Sequence, residues 1–176
     1  MIPKIIHYCW FGGNPKPGIV EQCMESWRKF CPGWEIIEWN EDNYDVHSVA
    51  FMSEAYDAKK WAFVSDVARL DIIYRHGGVY MDTDVELFAP LDPLAEYDAF
   101  FAFETERSIN SGVGFGATQN HPVVERMLDV YHDVHFPKDG KLRTVLCPKY
   151  NTEALKSAYP TLRLDGNRQE IEGVLL

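Results

Sequence analysis

The sequence contains no long apolar run and no excess of positive charge. No stretch approaches the roughly 20 apolar residues of a membrane-spanning helix, so any membrane association is expected to be peripheral. Its 17 Lys and Arg are outnumbered by 27 Asp and Glu, which gives a net charge of −10. This balance argues against a nucleic-acid partner, because such proteins carry a basic surface. An anionic ligand would need a metal ion between itself and the protein.

Paired cysteine motifs are also missing. The four cysteines form no CxxC pair and no zinc-like spacing, and the first residues do not resemble a signal peptide. These absences predict reduced thiols and a cytoplasmic protein, with contact at the inner face of the membrane as the closest association with a bilayer.

The length and composition predict one globular domain. A chain of 176 residues with 46% hydrophobic and 14% aromatic residues can bury a sizeable core, which excludes disorder. The last six residues are mostly apolar and have no polar tail. We therefore expect one domain over residues 1–176 that lacks a C-terminal segment.

Hydrophobic periodicity predicts an α/β fold. Residues 4–10 and 34–39 are typical of strands, and residues 19–30 between them have helical spacing, which makes a βαβ unit. Helices are predicted over residues 51–60 and 61–76, and the second ends at Gly77 and Gly78 before a strand over residues 79–81. Further strands are predicted at 99–103 and 112–117, and a helix at 122–131.

Asp82 and Asp84 follow the strand at 79–81. A chain with 13 Asp in 176 residues contains about one such pair by chance, so position has to give the pair its meaning. It lies where α/β folds bind ligands, and two carboxylates there suit Mg²⁺ or Mn²⁺. Such an ion could neutralise a diphosphate. The alternative is a pair of solvated aspartates in a turn.

A second polar group lies on the predicted helix over residues 61–76. Asp66 and Arg69 are three residues apart, so they share one face of an otherwise apolar helix. Buried charges need partners. They either bind the hydroxyls and phosphates of a ligand or simply pair with each other.

Two sequence blocks resemble glycosyltransferase family 32, the DXD-containing sugar transferases. Residues 62–84 are similar to the signature of that family, and residues 2–13 are similar to its opening strand. A looser similarity covers residues 109–122. Relatives include yeast mannosyltransferases, bacterial capsule and lipopolysaccharide sugar transferases and, distantly, the clostridial glucosylating toxins. The resemblance implies a GT-A-like fold: one domain with a mixed, mainly parallel central sheet flanked by helices.

The resemblance also implies roles for individual residues. Trp10 would stack on the nucleotide base, and Asn40 would lie near the nucleoside. Tyr80 would lie near the diphosphate, while Asn110 and Ser111 would border the acceptor. Each has a plain structural alternative: a core aromatic for Trp10 and Tyr80, and a turn residue for the other three.

On the donor side, the resemblance assigns Ser65, Asp66 and Arg69 to the sugar and ribose. Arg69 is also expected to stabilise the leaving diphosphate. Asp84 would be the direct metal ligand, and Asp82 would contact ribose, sugar or metal-bound water. These assignments make Asp82, Asp84 and Arg69 the catalytic group.

The predicted activity is metal-dependent transfer of a hexose from a nucleoside diphosphate sugar, taken as a UDP-sugar, to a saccharide hydroxyl with retention of configuration. Capsule, lipopolysaccharide or other polysaccharide synthesis is the expected context. The family's C-terminal block with a Ser-Trp pair is not found after Asp84. A non-catalytic fragment that binds nucleotide-sugar or carbohydrate is therefore the alternative. A phosphoesterase would need further metal-spaced His or Asp, which the sequence does not offer.

Overall fold

A seven-stranded mixed sheet forms the centre of the protein, as seen in a computed structural model that describes residues 1–137 and 147–176. The strands in chain order are β1 (Ile5–Cys9), β2 (Glu35–Trp39), β3 (Gly78–Tyr80), β4 (Ala99–Phe101), β5 (Phe103–Thr105), β6 (Ser108–Ile109), β7 (Phe115–Ala117), β8 (Glu170–Ile171) and β9 (Val174–Leu175). The sheet order is β2-β1-β3-β7-β4-β9-β8, and β5 pairs with β6 in a separate small sheet.

Two parallel strand pairs, β1 with β2 and β1 with β3, position the predicted site. β1 lies parallel to both β2 and β3, whereas β7 runs antiparallel between β3 and β4. At the far edge β9 is parallel to β4 and antiparallel to β8. The carboxyl ends of β1 and β3 therefore meet at one edge of the sheet, and the chain leaves there as Trp10 and Asp82.

Within residues 1–137 and 147–176, five helices cover the sheet: α1 (Gly18–Phe30), α2 (Ala50–Asp57), α3 (Trp61–His76), α4 (Pro122–Asp129) and α5 (Cys147–Ala158). The core residues of α2 to α5 form one apolar cluster, and α1 packs in a second cluster with the segment around Leu91 and Ala95. Along β3, Val79 faces the second cluster and Tyr80 the first. This alternation places the sheet between two helical layers.

The predicted elements up to residue 81 are found with boundary shifts of at most three residues, and α3 has the predicted bounds. Farther along, the predicted strand at 99–103 is divided into β4 and β5, and the predicted helix at 122–131 ends at Asp129 and continues as a 3₁₀ turn over Val130–His132. The periodicity did not identify α5 or the β8–β9 hairpin. Among the described helices, none combines the length and apolar character that crossing a membrane requires.

Candidate donor site

A cleft of about 470 Å³ opens at the edge where β1 and β3 end. Its lining brings together residues from three sequence blocks that are far apart in the chain. The predicted members are Trp10, Ser65, Arg69, Asp82 and Asp84. The fold thus gathers the loop after β1, one face of α3 and the loop after β3 around a single cavity of ligand size.

Arg69 is the centre of the polar network in this cleft. Its guanidinium lies 3.1 Å from Asp66 Oδ1 and 3.3 Å from Asp82 Oδ1, and its Nε donates to the Ser65 carbonyl at 3.0 Å. Its side chain is only 4% exposed. Burial alone would lower the pKa of Arg69, but the two carboxylates raise it well above its usual value. Arg69 and Asp66 therefore do pair with each other, as one of the two interpretations predicts. Arg69 also pairs with Asp82, which that interpretation did not include.

The ring of Tyr80 is buried in the core, and its hydroxyl contacts Asp82. The ring is 1% exposed and lies 5.1 Å from the Arg69 guanidinium carbon. The hydroxyl donates to Asp82 Oδ1 at 3.0 Å. Burial, together with the charge of Asp82, raises the pKa of Tyr80 well above its usual value, so the phenol stays a donor. The core interpretation of Tyr80 is confirmed, and its place near the diphosphate stays a prediction.

The two aspartates of the DXD motif have different surroundings. Asp82 Oδ1 is already engaged by Arg69 and Tyr80, and burial raises the pKa of its carboxyl although Arg69 opposes that shift. The same cause raises the pKa of Asp66. Asp84 is exposed at the cleft. Of the pair, Asp84 is the carboxylate that a ligand in the cleft can reach freely.

The donor set fits a divalent cation that takes most of its ligands from substrate. Carboxylate oxygens from Asp82 and Asp84 match the preference of Mg²⁺ and Mn²⁺ for hard ligands. Over residues 1–137 and 147–176, no three His, Cys, Asp or Glu side chains are grouped to hold an ion by themselves. Magnesium-type sites commonly use one or two carboxylates and complete the shell with phosphate oxygens and water.

The loop formed by Asn110, Ser111 and Gly112 closes the other side of Asp82. The Gly112 carbonyl accepts from the Asp82 amide at 3.2 Å, and Asn110 Oδ1 accepts from the Gly112 amide at 2.8 Å. A Cβ atom on Gly112 would lie 2.5 Å from Asp82 Oδ2 and 2.8 Å from Arg69 Nη1. Only glycine allows this close approach.

Ser111 lies behind that loop rather than in the cleft. It is 1% exposed, and its hydroxyl accepts from the Asn151 amide of α5 at 3.0 Å. Cys147, at the start of α5, donates to Asn110 Oδ1 at 3.3 Å. The sequence analysis did not single out Gly112, Cys147 or Asn151 as site residues. The Asn-Ser-Gly sequence at 110–112 is the signal that could have pointed to Gly112.

Trp10 and Asn40 lie side by side, outside the Arg69 network. Trp10 is half-buried, donates to the Asn14 carbonyl at 2.7 Å, and also lines an adjoining cleft of about 390 Å³ together with Asn40. Asn40 donates to Glu38 and accepts from the Asp42 amide. Asn40 is thus a turn residue, and it also lies near Trp10.

The chain is similar to known sugar transferases in sequence and in fold. Residues 17–101 match the family described as the glycosyltransferase sugar-binding region containing the DXD motif. Inositol phosphoceramide mannosyltransferase 1 of Schizosaccharomyces pombe is 34% identical over 132 residues, which are 69% of this chain and 40% of that protein. Human alpha-1,4-N-acetylglucosaminyltransferase is 37% identical over 87 residues, 47% of this chain and 24% of that protein. The chain therefore spans less than half the length of these relatives.

The solved structure of the PaToxG glycosyltransferase superposes with a TM-score of 0.68 at 17% identity, and the match covers 90% of this chain and 70% of that one. At this identity the likeness concerns the fold, and it agrees with the GT-A arrangement that the sequence predicts. The family match, the transferase relatives and the shared fold together identify the chain as a member of the DXD-containing glycosyltransferases, family 32.

Proposed function

We propose that this chain is the donor-binding and catalytic domain of a metal-dependent, retaining hexosyltransferase. It would move a hexose from a nucleoside diphosphate sugar, with UDP-hexose as the donor, to a saccharide hydroxyl. The observation that carries the proposal is the shared contact of Arg69 with Asp66 and Asp82 in the wall of a cleft that also contains Trp10 and Asp84. Mannosyltransferase and N-acetylglucosaminyltransferase relatives support a hexose as the transferred group.

The metal site in this proposal consists of Asp84 as the direct ligand and Asp82 as a supporting carboxylate. A bound Mn²⁺ or Mg²⁺ would supply Lewis-acid stabilisation of the departing diphosphate. The exposure of Asp84 and the occupied Oδ1 of Asp82 support this division of roles. The negative charge of the protein also supports it, because a diphosphate would otherwise be repelled.

The remaining predicted site residues, in and around the cleft, bind and orient the donor. The flat ring of Trp10 stacks on the base, with Asn40 next to the nucleoside. Asp66 accepts hydrogen bonds from sugar or ribose hydroxyls beside Ser65, and Arg69, held by two carboxylates, presents its charge to the sugar and the leaving group. Tyr80 keeps Asp82 oriented through its hydroxyl. Asn110 borders the acceptor side, and Ser111 supports it from behind the same loop.

Stereochemistry and context extend the same proposal. Retention follows if the acceptor hydroxyl attacks from the face that the diphosphate leaves, with a phosphate oxygen taking its proton, so that positioning supplies much of the catalysis. We place the reaction in polysaccharide, capsule or lipopolysaccharide synthesis, at the cytoplasm or the inner face of the membrane. The alternative, a fragment that binds a sugar nucleotide without turnover, would keep the binding and lose the chemistry.

Nucleotide titration tests the proposal. Thermal unfolding is followed with UDP, GDP, UDP-glucose and GDP-mannose, each with and without Mn²⁺. A ligand at about 100 times its Kd stabilises the folded state by about 2.7 kcal/mol. We expect stabilisation by a nucleotide only when Mn²⁺ is present. If every nucleotide leaves the midpoint unchanged with Mn²⁺, the transferase proposal for this chain is wrong.

Asp84→Asn is the decisive variant for the metal assignment. It should remove the Mn²⁺-dependent stabilisation while the midpoint of the free protein changes little, because Asp84 is exposed. Glu86→Gln is the matched control, since it removes one negative charge from an exposed position in the same loop. Normal binding of Mn²⁺ and nucleotide by Asp84→Asn would show that the metal is held elsewhere.

A further inference from the structure

Helix α5 is hydrogen-bonded to the loop that contacts Asp82. Asn151 donates from Nδ2 to Ser111 Oγ at 3.0 Å, and the Cys147 thiol donates to Asn110 Oδ1 at 3.3 Å. Thr152 Oγ1 accepts from the Ile109 amide at 2.9 Å. Cys147 and Asn151 share one face of α5, because they are four positions apart, and Thr152 directly follows Asn151. The last residue of β6, Ile109, and the first two loop residues, Asn110 and Ser111, are therefore held from a single helix.

The contact continues from the loop to the DXD motif. Asn110 Oδ1, which receives the Cys147 thiol, also receives the Gly112 amide, and the Gly112 carbonyl receives the Asp82 amide. A Cβ added to Gly112 would lie 2.5 Å from Asp82 Oδ2, so the loop approaches the Asp82 carboxylate more closely than a side chain would allow. A displacement of the loop would move the Gly112 carbonyl, which accepts from the Asp82 amide.

Asn151 is an unfavourable residue for stability at its position. It is 0% exposed, and its Oδ1 has no hydrogen-bond partner among the described residues. A buried carbonyl without a partner is destabilising, and an apolar residue of similar volume would avoid that penalty. Stability alone does not account for an amide here, whereas the bond to Ser111 does.

We infer that Asn151 is a positioning residue of the transferase site: through Ser111 it fixes the Asn110 to Gly112 loop, and through that loop the backbone of Asp82. The inference rests on the proposed function for its catalytic consequence. The geometric part stands on the hydrogen bonds alone. Asn151 itself touches neither donor nor metal in this scheme, because it lies entirely below the surface.

Asn151→Leu separates positioning from stability. The leucine removes the bond to Ser111 and also the unsatisfied oxygen, so the thermal midpoint should stay the same or rise. Amide hydrogen exchange of Asp82 and Gly112 should become at least tenfold faster. Gln169→Leu is the control, since Gln169 is a buried amide that bonds to Arg163 and Asn167 instead. It should leave the exchange of Asp82 unchanged.

Turnover provides the second readout, measured as hydrolysis of whichever UDP- or GDP-sugar stabilises the wild type with Mn²⁺. Asn151→Leu should lower kcat at least tenfold and change KM for the donor less than threefold. Asn151→Asp, which retains an oxygen able to accept from the Ser111 hydroxyl, should recover part of that loss. Ser111→Ala should not add to Asn151→Leu, because the two side chains act through one bond.

The outcomes separate this inference from the proposed function. Unchanged exchange at Asp82 in Asn151→Leu overturns the inference whatever the activity. Faster exchange with unaltered kcat overturns it as well, since the loop would then not control the site. If the wild type neither binds nor hydrolyses a sugar nucleotide, the proposed function fails and the exchange data still decide whether Asn151 positions Asp82.

Discussion

At the scale of single residues, some buried polar side chains depend on partners that are remote in sequence. His7 in β1 illustrates this. The ring is 0% exposed; Nδ1 accepts from the Trp39 indole at 3.0 Å and Nε2 lies 3.0 Å from the Gly77 carbonyl. Because one nitrogen must accept and the other donate, the neutral tautomer with its proton on Nε2 satisfies both contacts. A second proton would face the indole N–H.

His7 should therefore make the fold sensitive to mild acid. Burial lowers the pKa of His7 to about 4, against an ordinary value of 6.5. The unfolded chain thus takes up a proton at a higher pH than the folded one, so stability is lost as the pH falls from about 6.5 to 4. The shift corresponds to about 3 kcal/mol at the acid end. Urea unfolding of the wild type and His7→Gln across this range measures it, and the difference between them should shrink or reverse in acid. A difference independent of pH would contradict the prediction.

Gly112→Ala should damage the donor site more than the fold. The added Cβ would lie within 2.5 Å of Asp82 Oδ2, and the Asp82 side chain is 36% exposed and can move away. We expect Mn²⁺-dependent nucleotide affinity to fall at least tenfold, which is about 1.4 kcal/mol, with a smaller change in unfolding free energy. Gly18→Ala is the control, because a Cβ there meets nothing within 4 Å. Calorimetric titration compares the two, and equal affinities would refute the steric argument.

At the scale of elements, the junction between α3 and β3 is the most constrained. Gly77 and Gly78 have φ of 67° and 104°, and a Cβ on Gly78 would lie 2.8 Å from both His7 Nε2 and the Ile5 carbonyl oxygen. The chain turns here directly from the helix that carries Arg69 into the strand that leads to Asp82. The glycine pair therefore sets the distance between these two side chains.

Gly78→Ala should cost about 3 kcal/mol or more, from backbone strain and from contact with neighbours that are backbone and buried ring. Gly33→Ala is the matched control: it has φ of 87° but open space around the added Cβ. Strain alone should cost it about 1 kcal/mol. Midpoints of urea unfolding measure both, and similar losses would mean that crowding at β1 is unimportant.

How far the sequence predicts the elements depends on what holds them. α1 and α3 have buried apolar residues at helical spacing, so their boundaries follow from periodicity. α5 buries Cys147 and Asn151 as well as Ala154 and Leu155, and half of that face is bonded to a loop that no local pattern reveals. The Arg69 pairing with Asp66 was predictable from i, i+3 spacing. Its second pairing, with Asp82, depends on how β3 is aligned beside α3.

At the scale of the whole molecule, charge decides how an anionic donor can bind. The net charge is −10, and among the described residues that line the cleft Arg69 is the one cation, beside Asp82 and Asp84 and paired with Asp66. Both the net charge of the protein and the charges in the cleft thus repel a diphosphate and attract a divalent cation. Metal dependence would then be a property of the entire surface as well as of two aspartates.

Salt should consequently act in opposite directions on the two ligands. Between about 10 mM and 100 mM NaCl the Debye length falls from roughly 30 Å to 10 Å, so repulsion of UDP and attraction of Mn²⁺ both weaken. We expect metal-free UDP affinity to stay level or rise with salt and Mn²⁺ affinity to fall, with a shallower fall in Asp84→Asn. Titration calorimetry at several NaCl concentrations tests this. If metal-free UDP instead weakens with salt as steeply as Mn²⁺, a cationic surface binds the phosphates, and the metal is not what bridges the donor to this protein.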